Sequence, residues 1–110
     1  MVARIEPSTR VALAASIYRA RDPVFAAKLH QKAVSAYAIG KKHPGVCQGA
    51  PGRAPYYYEE DNWTDDMELA AAELFALTRE RTYLRDALDY ASRKPVTPWM
   101  GADTLKHYQW

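Results

Sequence analysis

Apolar residues along this chain recur at intervals of three and four, and proline, glycine and short polar clusters interrupt the runs. Pro7-Ser8-Thr9 opens the first run, with Ser8 or Thr9 as its expected N-cap. Val11, Ala14, Ala15 and Tyr18 then fall on one helical face. Asp22 before Pro23 marks a second start, because proline at the first helical position gives up an N–H that would find no intrahelical partner anyway. Its stripe is Ala26, Leu29, Ala33, Ala36 or Tyr37, and Gly40. Lys41, Lys42 and His43 crowd its end, where cations suit the helix dipole, and Pro44-Gly45 stops it.

Residues 44–62 carry Pro44, Gly45, Gly49, Pro51, Gly52 and Pro55, which predicts one long loop and neither a helix nor a paired strand. Loops of that length in compact domains are usually functional. A third helix is expected from Thr64, with Asp65 and Asp66 in its first turn and Met67, Ala70, Ala71, Leu74 and Leu77 inward. Thr82 is the expected cap of a fourth, with Leu84, Ala87, Leu88 and Ala91 inward, ended by Pro95 and Pro98. Residues 99–110 read as the start of a fifth, with Asp103 near its beginning. The fold class is therefore all-α. Small residues on the helix faces let backbones approach closely, and short links alternating with a long loop suggest antiparallel helix pairs of a solenoid or toroid. No internal repeat is strong enough to name a repeat family.

Composition narrows the partners. A chain of 110 residues is one domain or a piece of one. Alone, it would bury about two-thirds of its unfolded surface, enough for a modest core. Fifteen Lys and Arg against 13 Asp and Glu leave a net charge of +2, and there is no basic block, so nothing marks a nucleic-acid surface. No apolar run is long enough to span a bilayer. Arg4, Glu6 and Arg10 interrupt the place where a signal peptide would be apolar, and the compartment stays open. The single cysteine, Cys47, excludes an internal disulfide and has no histidine context that suggests a nucleophile. His30, His43 and His107 are too scattered for a zinc pattern.

The chemistry concentrates in residues 54–75, APYYYEEDNWTDDMELAAAELF. Tyrosines beside carboxylates suit sugar rings, whose apolar faces lie on aromatic planes and whose hydroxyls bind carboxylates. The same acidic cluster could instead hold a hard cation.

The ordered set Asp22-Pro23-x-Phe25-Ala26, Lys42-His43-Pro44-Gly45, Tyr56-Tyr57, Asp61-Asn62-Trp63, Asp65-Asp66-Met67, Ala70-Ala71-Ala72, Leu74-Phe75 and Thr82-Tyr83-Leu84 resembles glycoside hydrolase family 9, the inverting cellulases. The likeness covers roughly residues 7–110. It implies part of an (α/α)6 toroid, with residues 1–110 as a partial barrel domain, and a parent activity of β-1,4-glucan hydrolysis. Family enzymes are several times longer. Their base lies in an Asp-Ala-Gly-Asp segment ahead of the matched region and their acid is a glutamate near the far end. Neither has a counterpart here, so no catalytic residue is assigned. Inversion needs two carboxyl groups about 6.5–9.5 Å apart, and nothing in the sequence fixes such a pair. Glu59 and Glu60 read as a solvated acidic loop.

The resemblance further implies that Tyr57 lines a sugar cleft, flanked by Tyr56 or Tyr58, with Trp99 near a second cleft aromatic. Some family members hold calcium here, which carries over to Asp61, Asn62, Asp65, Asp66 and Asp103. Oxygen ligands of this kind suit calcium, although dipole complementation at a helix start accounts for Asp65 and Asp66 equally well. Trp63 takes the place of a family tyrosine and reads as packing. The implied partners are a β-glucan or related oligosaccharide, and either the rest of the barrel or another copy to cover bare apolar surface. No nucleic-acid or membrane partner is expected. The competing reading is a non-catalytic, glycan-binding or structural helical module.

Overall fold

The computed structural model describes residues 6–45 and 63–93; the expected fifth helix and most of the expected long loop lie outside them. The described residues are all-helical: α1 (Glu6–Tyr18), α2 (Pro23–Lys42), α3 (Thr64–Thr78) and α4 (Arg81–Arg93). No strand occurs among them.

The second start follows the sequence reading. Asp22 Oδ1 accepts the Phe25 N–H at 2.9 Å, and Pro23 is the first helical residue. Ala26, Ala33, Tyr37 and Gly40 are buried along α2, with Leu29 packed at the edge of the core. At its end the His43 N–H donates to the Ile39 carbonyl at 2.9 Å.

The first start does not. Helix α1 begins at Glu6, so Ser8 and Thr9 lie inside it and neither is the cap. Ser8 is fully buried and donates its hydroxyl to the Ala33 carbonyl of α2 at 2.9 Å. The buried stripe is Ser8, Ala12 and Ala15, while Val11 packs from the side and Tyr18 is 41% exposed. Small side chains win this interface because α1 lies between α2 and α3, and only Ser and Ala let it approach both.

Tyr18 meets Phe25 near the α1–α2 link, and Ser8 meets Ala33 further along, so the two helices run antiparallel. Arg19, just beyond α1, donates to the Leu77 carbonyl in the last turn of α3 at 3.0 Å, so the C-terminal ends of α1 and α3 lie together. Helices α3 and α4 form a second antiparallel pair, with Trp63 at the beginning of one against Tyr90 near the end of the other. Their two-residue link is tightly built. Arg79 is left-handed (φ 63°) and donates its N–H to the Phe75 carbonyl at 2.8 Å, a helix-ending position where glycine is commoner. The Thr78 hydroxyl donates to the Leu74 carbonyl and accepts the Glu80 N–H.

The stripe of α3 is the one expected: Met67, Ala70, Ala71, Leu74 and Leu77 are buried. That of α4 is different. The helix begins at Arg81, which leaves Thr82 in its first turn and not at a cap. Ala87 and Tyr90 are buried with Tyr83 packed beside them, whereas Leu84 is 38% and Leu88 65% exposed. Tyr83, Ala87 and Tyr90 recur at i, i+4 and i+7, and the Tyr83 and Tyr90 rings pack edge-on against Tyr37 and Trp63, so this face turns inward.

Candidate functional site

Of the nine residues named for a sugar cleft or cation site, only Asp65 and Asp66 are among the described residues; Tyr56, Tyr57, Tyr58, Asp61, Asn62, Trp99 and Asp103 lie outside them. Asp65 and Asp66 occupy the first turn of α3 and are half-buried. Asp65 Oδ1 accepts the N–H of the adjacent Asp66 at 3.0 Å, and the N-cap of the helix, Trp63, makes no side-chain cap bond. As hard oxygen donors they fit calcium in kind, but two carboxylates fall short of the six to eight oxygens that calcium takes. Among the described residues no three His, Cys, Asp or Glu side chains gather as a metal-ligand set.

What the structure does bring together is an aromatic and charged cluster between α2 and α4. Tyr37, almost fully buried, donates its hydroxyl to Asp86 Oδ2 at 2.8 Å. Lys41, one turn later, reaches the same oxygen at 2.8 Å. The Tyr83 ring meets Tyr37 edge-on with centroids 5.5 Å apart. Lys41 Nζ lies 5.9 Å from the centre of the Tyr37 ring. Four residues beyond Asp86 on α4, the Tyr90 ring meets Trp63 edge-on at 6.0 Å. Arg93 stacks on Tyr90 at 4.9 Å and pairs with Asp89 one turn back.

The electrostatics follow from this geometry. Burial, reinforced by the hydrogen bond to Asp86, pushes the Tyr37 phenol far above the usual tyrosine range. The hydrogen bond to Asp86 raises Lys41, against a smaller opposing effect of burial. Burial likewise raises Tyr83 and Tyr90. The cluster is thus held with its tyrosines neutral and Lys41 charged, as a fixed polar bracket between two helices. It contains no activated nucleophile and no pair of carboxylates that would act as acid and base.

Sequence reasoning found Trp63 as a packing residue and missed the rest of the bracket. The available signal was the spacing of Tyr83, Asp86, Ala87 and Tyr90 on one face of α4. The two leucines, one position further on, drew the inward face to themselves.

Comparison with known proteins places the chain. The family model described as Glycosyl hydrolase family 9 matches residues 3–110. Endoglucanase 23 of Oryza sativa subsp. japonica is 31% identical over an aligned length of 110 residues, and the alignment covers 96% of this chain and 20% of that protein. Endoglucanase 3 of the same organism is 30% identical over an aligned length of 81 residues, and the alignment covers 72% of this chain and 16% of that protein. The chain thus spans a fifth or less of the length of these relatives. No solved structure matches it.

Proposed function

The chain belongs to glycosyl hydrolase family 9, and from that premise we propose that it is part of a β-1,4-glucan hydrolase barrel, contributing one side of the sugar cleft without the catalytic base or acid. The single observation that carries this reading is the family match over residues 3–110. Two antiparallel helix pairs are compatible with a segment of an (α/α)6 toroid. Tyr57, with Tyr56 and Tyr58 beside it and Trp99 further on, supplies the planes on which glucose rings lie. Calcium, held by Asp61, Asn62, Asp65, Asp66 and Asp103, would fix the entry to α3 by neutralising a local excess of carboxylates.

A reducing-sugar assay of the purified chain on a soluble cellulose derivative tests the missing chemistry. No turnover is expected. Turnover that survives repurification and vanishes on replacing one acidic residue would contradict the reading, because the acid–base pair would then lie within these 110 residues. The non-catalytic module is favoured by the same missing pair. Reading the flanking DNA separates the two. An Asp-Ala-Gly-Asp run upstream and a glutamate-bearing helix downstream belong to the hydrolase, and neither would be found beside a stand-alone module.

A further inference from the structure

The hydrogen bond from Arg19 to the Leu77 carbonyl brings the α1–α2 link and the α3–α4 link to one end of the bundle. The charges at that end are one-sided. Residues 18–28 and 78–81 hold Arg19, Arg21, Lys28, Arg79 and Arg81 against Asp22 and Glu80, in a chain whose net charge is only +2. All five of these cations are exposed, and Asp22 is engaged as the cap of α2. Helix ends account for part of the set: Arg19, Arg21 and Arg79 lie just beyond the C-termini of α1 and α3, where cations offset the dipole. They do not account for Arg81, the first residue of α4, which opposes the dipole of a helix with no acidic residue in its first turn. The same end is aromatic. Tyr18 and Phe25 meet edge to face with centroids 5.1 Å apart, and they remain 41% and 42% exposed. Lys28 follows Phe25 by three residues along α2, on the same side of that helix.

We propose that this end of the bundle binds an acidic polysaccharide, a chain of uronic acid residues: its carboxylates pair with Arg21, Arg79 and Arg81, and one of its sugar rings lies on the Tyr18–Phe25 pair. Guanidinium groups take carboxylates through two parallel hydrogen bonds, and a concentration of positive charge draws a polyanion in. The exposed rings receive the apolar face of a sugar. A neutral β-1,4-glucan would leave the cations without a counterpart. The choice of a sugar polymer over an acidic peptide rests on the reading of the chain as part of a glucan hydrolase.

Calorimetric titration of the full chain with an oligogalacturonate at low salt tests it, with polyglutamate of similar charge as the peptide probe. Three double variants are compared at a temperature where all are folded. Arg21→Gln with Arg79→Gly removes two cations, and glycine is the commoner residue at the left-handed position of Arg79. Tyr18→Leu with Phe25→Leu keeps apolar bulk without ring faces. Lys42→Gln with Arg93→Gln removes two exposed cations from the opposite end of the bundle. The first two should each weaken oligogalacturonate several-fold and the third should leave it unchanged. Affinity should also fall as salt screens the exposed charges. No saturable binding at low salt overturns the proposal, as does an equal loss in the Lys42/Arg93 variant or full affinity in the Tyr18/Phe25 variant. Polyglutamate bound as tightly as oligogalacturonate overturns it too, in favour of an acidic peptide. Oligogalacturonate binding that follows the variants in a chain that binds no cello-oligosaccharide supports this site and counts against the glucan cleft alone.

Discussion

At the scale of single residues, Asp86 shows how a charged position in a sequence can be a structural junction. One of its oxygens takes both the Tyr37 hydroxyl and Lys41. Replacing it by alanine leaves a buried phenol without its acceptor, which costs about 1–3 kcal/mol. Tyr37→Phe removes the donor and the need together and should cost about 0.5–1.5 kcal/mol. Urea unfolding measures both, and a larger loss for Tyr37→Phe than for Asp86→Ala would contradict the assignment. The titration has a definite sign. Tyr37 and Lys41 hold their protons more tightly in the folded chain than in the unfolded one. Their contribution is therefore fully present below the ordinary tyrosine and lysine values and is lost as pH rises beyond about 10. Asp86→Asn should flatten that alkaline decline, and an unchanged slope above that pH would contradict it. None of this was legible in the sequence, because a helix pattern gives the face of Asp86 but not the partners it meets 45 and 49 positions away. Trp63 was legible through the family resemblance, in which it stands for a tyrosine beside the helix start and reads as packing.

At the scale of elements, legibility followed the chemistry of the stripes. Helices α2 and α3 were read correctly because their inward faces hold Ala, Gly, Met and Leu while their other faces are more polar or mixed. Helix α4 was misread because leucines and tyrosines compete for the same turn, and hydrophobicity alone ranks leucine first. The Ser8 misreading has a similar cause: a serine after a proline signals a cap, and nothing local says that its hydroxyl will find a carbonyl 25 residues away. Two element-level predictions follow from the packing. Asp22→Ala removes a formed cap and should cost about 0.5–2 kcal/mol by denaturant midpoint. Ala33 has no exposed surface and faces Ser8 across the α1–α2 contact. Ala33→Leu should therefore cost about 1–3 kcal/mol by overpacking, whereas Ala38→Leu, on the exposed side of the same helix, should be near neutral. Equal effects at the two sites would mean that α1 does not approach as closely as described. Calcium belongs to this scale too. If the start of α3 helps bind it in the native state alone, the melting temperature rises in millimolar calcium relative to chelator by mass action. An unchanged melt would leave Asp65 and Asp66 as helix-start residues only.

At the scale of the whole molecule, the family was legible from an ordered set of short matches, and the extent of bare apolar surface was not. Leu13 and Ile17 on α1, Val24 and Ile39 on α2, and Leu84 and Leu88 on α4 are at least a third exposed. On α3, off its inward stripe, Leu69 is half-buried and Ala72 exposed. Faces of this kind recruit a partner when they form a continuous patch. The chain should self-associate by light scattering at high micromolar concentration, and Leu84→Glu with Leu88→Glu should reduce it. A stable monomer would mean that the four helices suffice for one another. The central proposal is that this chain contributes part of a glucan cleft without the catalytic base or acid. A calorimetric titration of the purified chain with a cello-oligosaccharide tests it most directly. The account predicts saturable heat that falls several-fold in Tyr57→Ala and persists in an equally stable variant altered outside the tyrosine run. Absence of saturable heat at millimolar ligand, or heat unaffected by Tyr57→Ala, would contradict it.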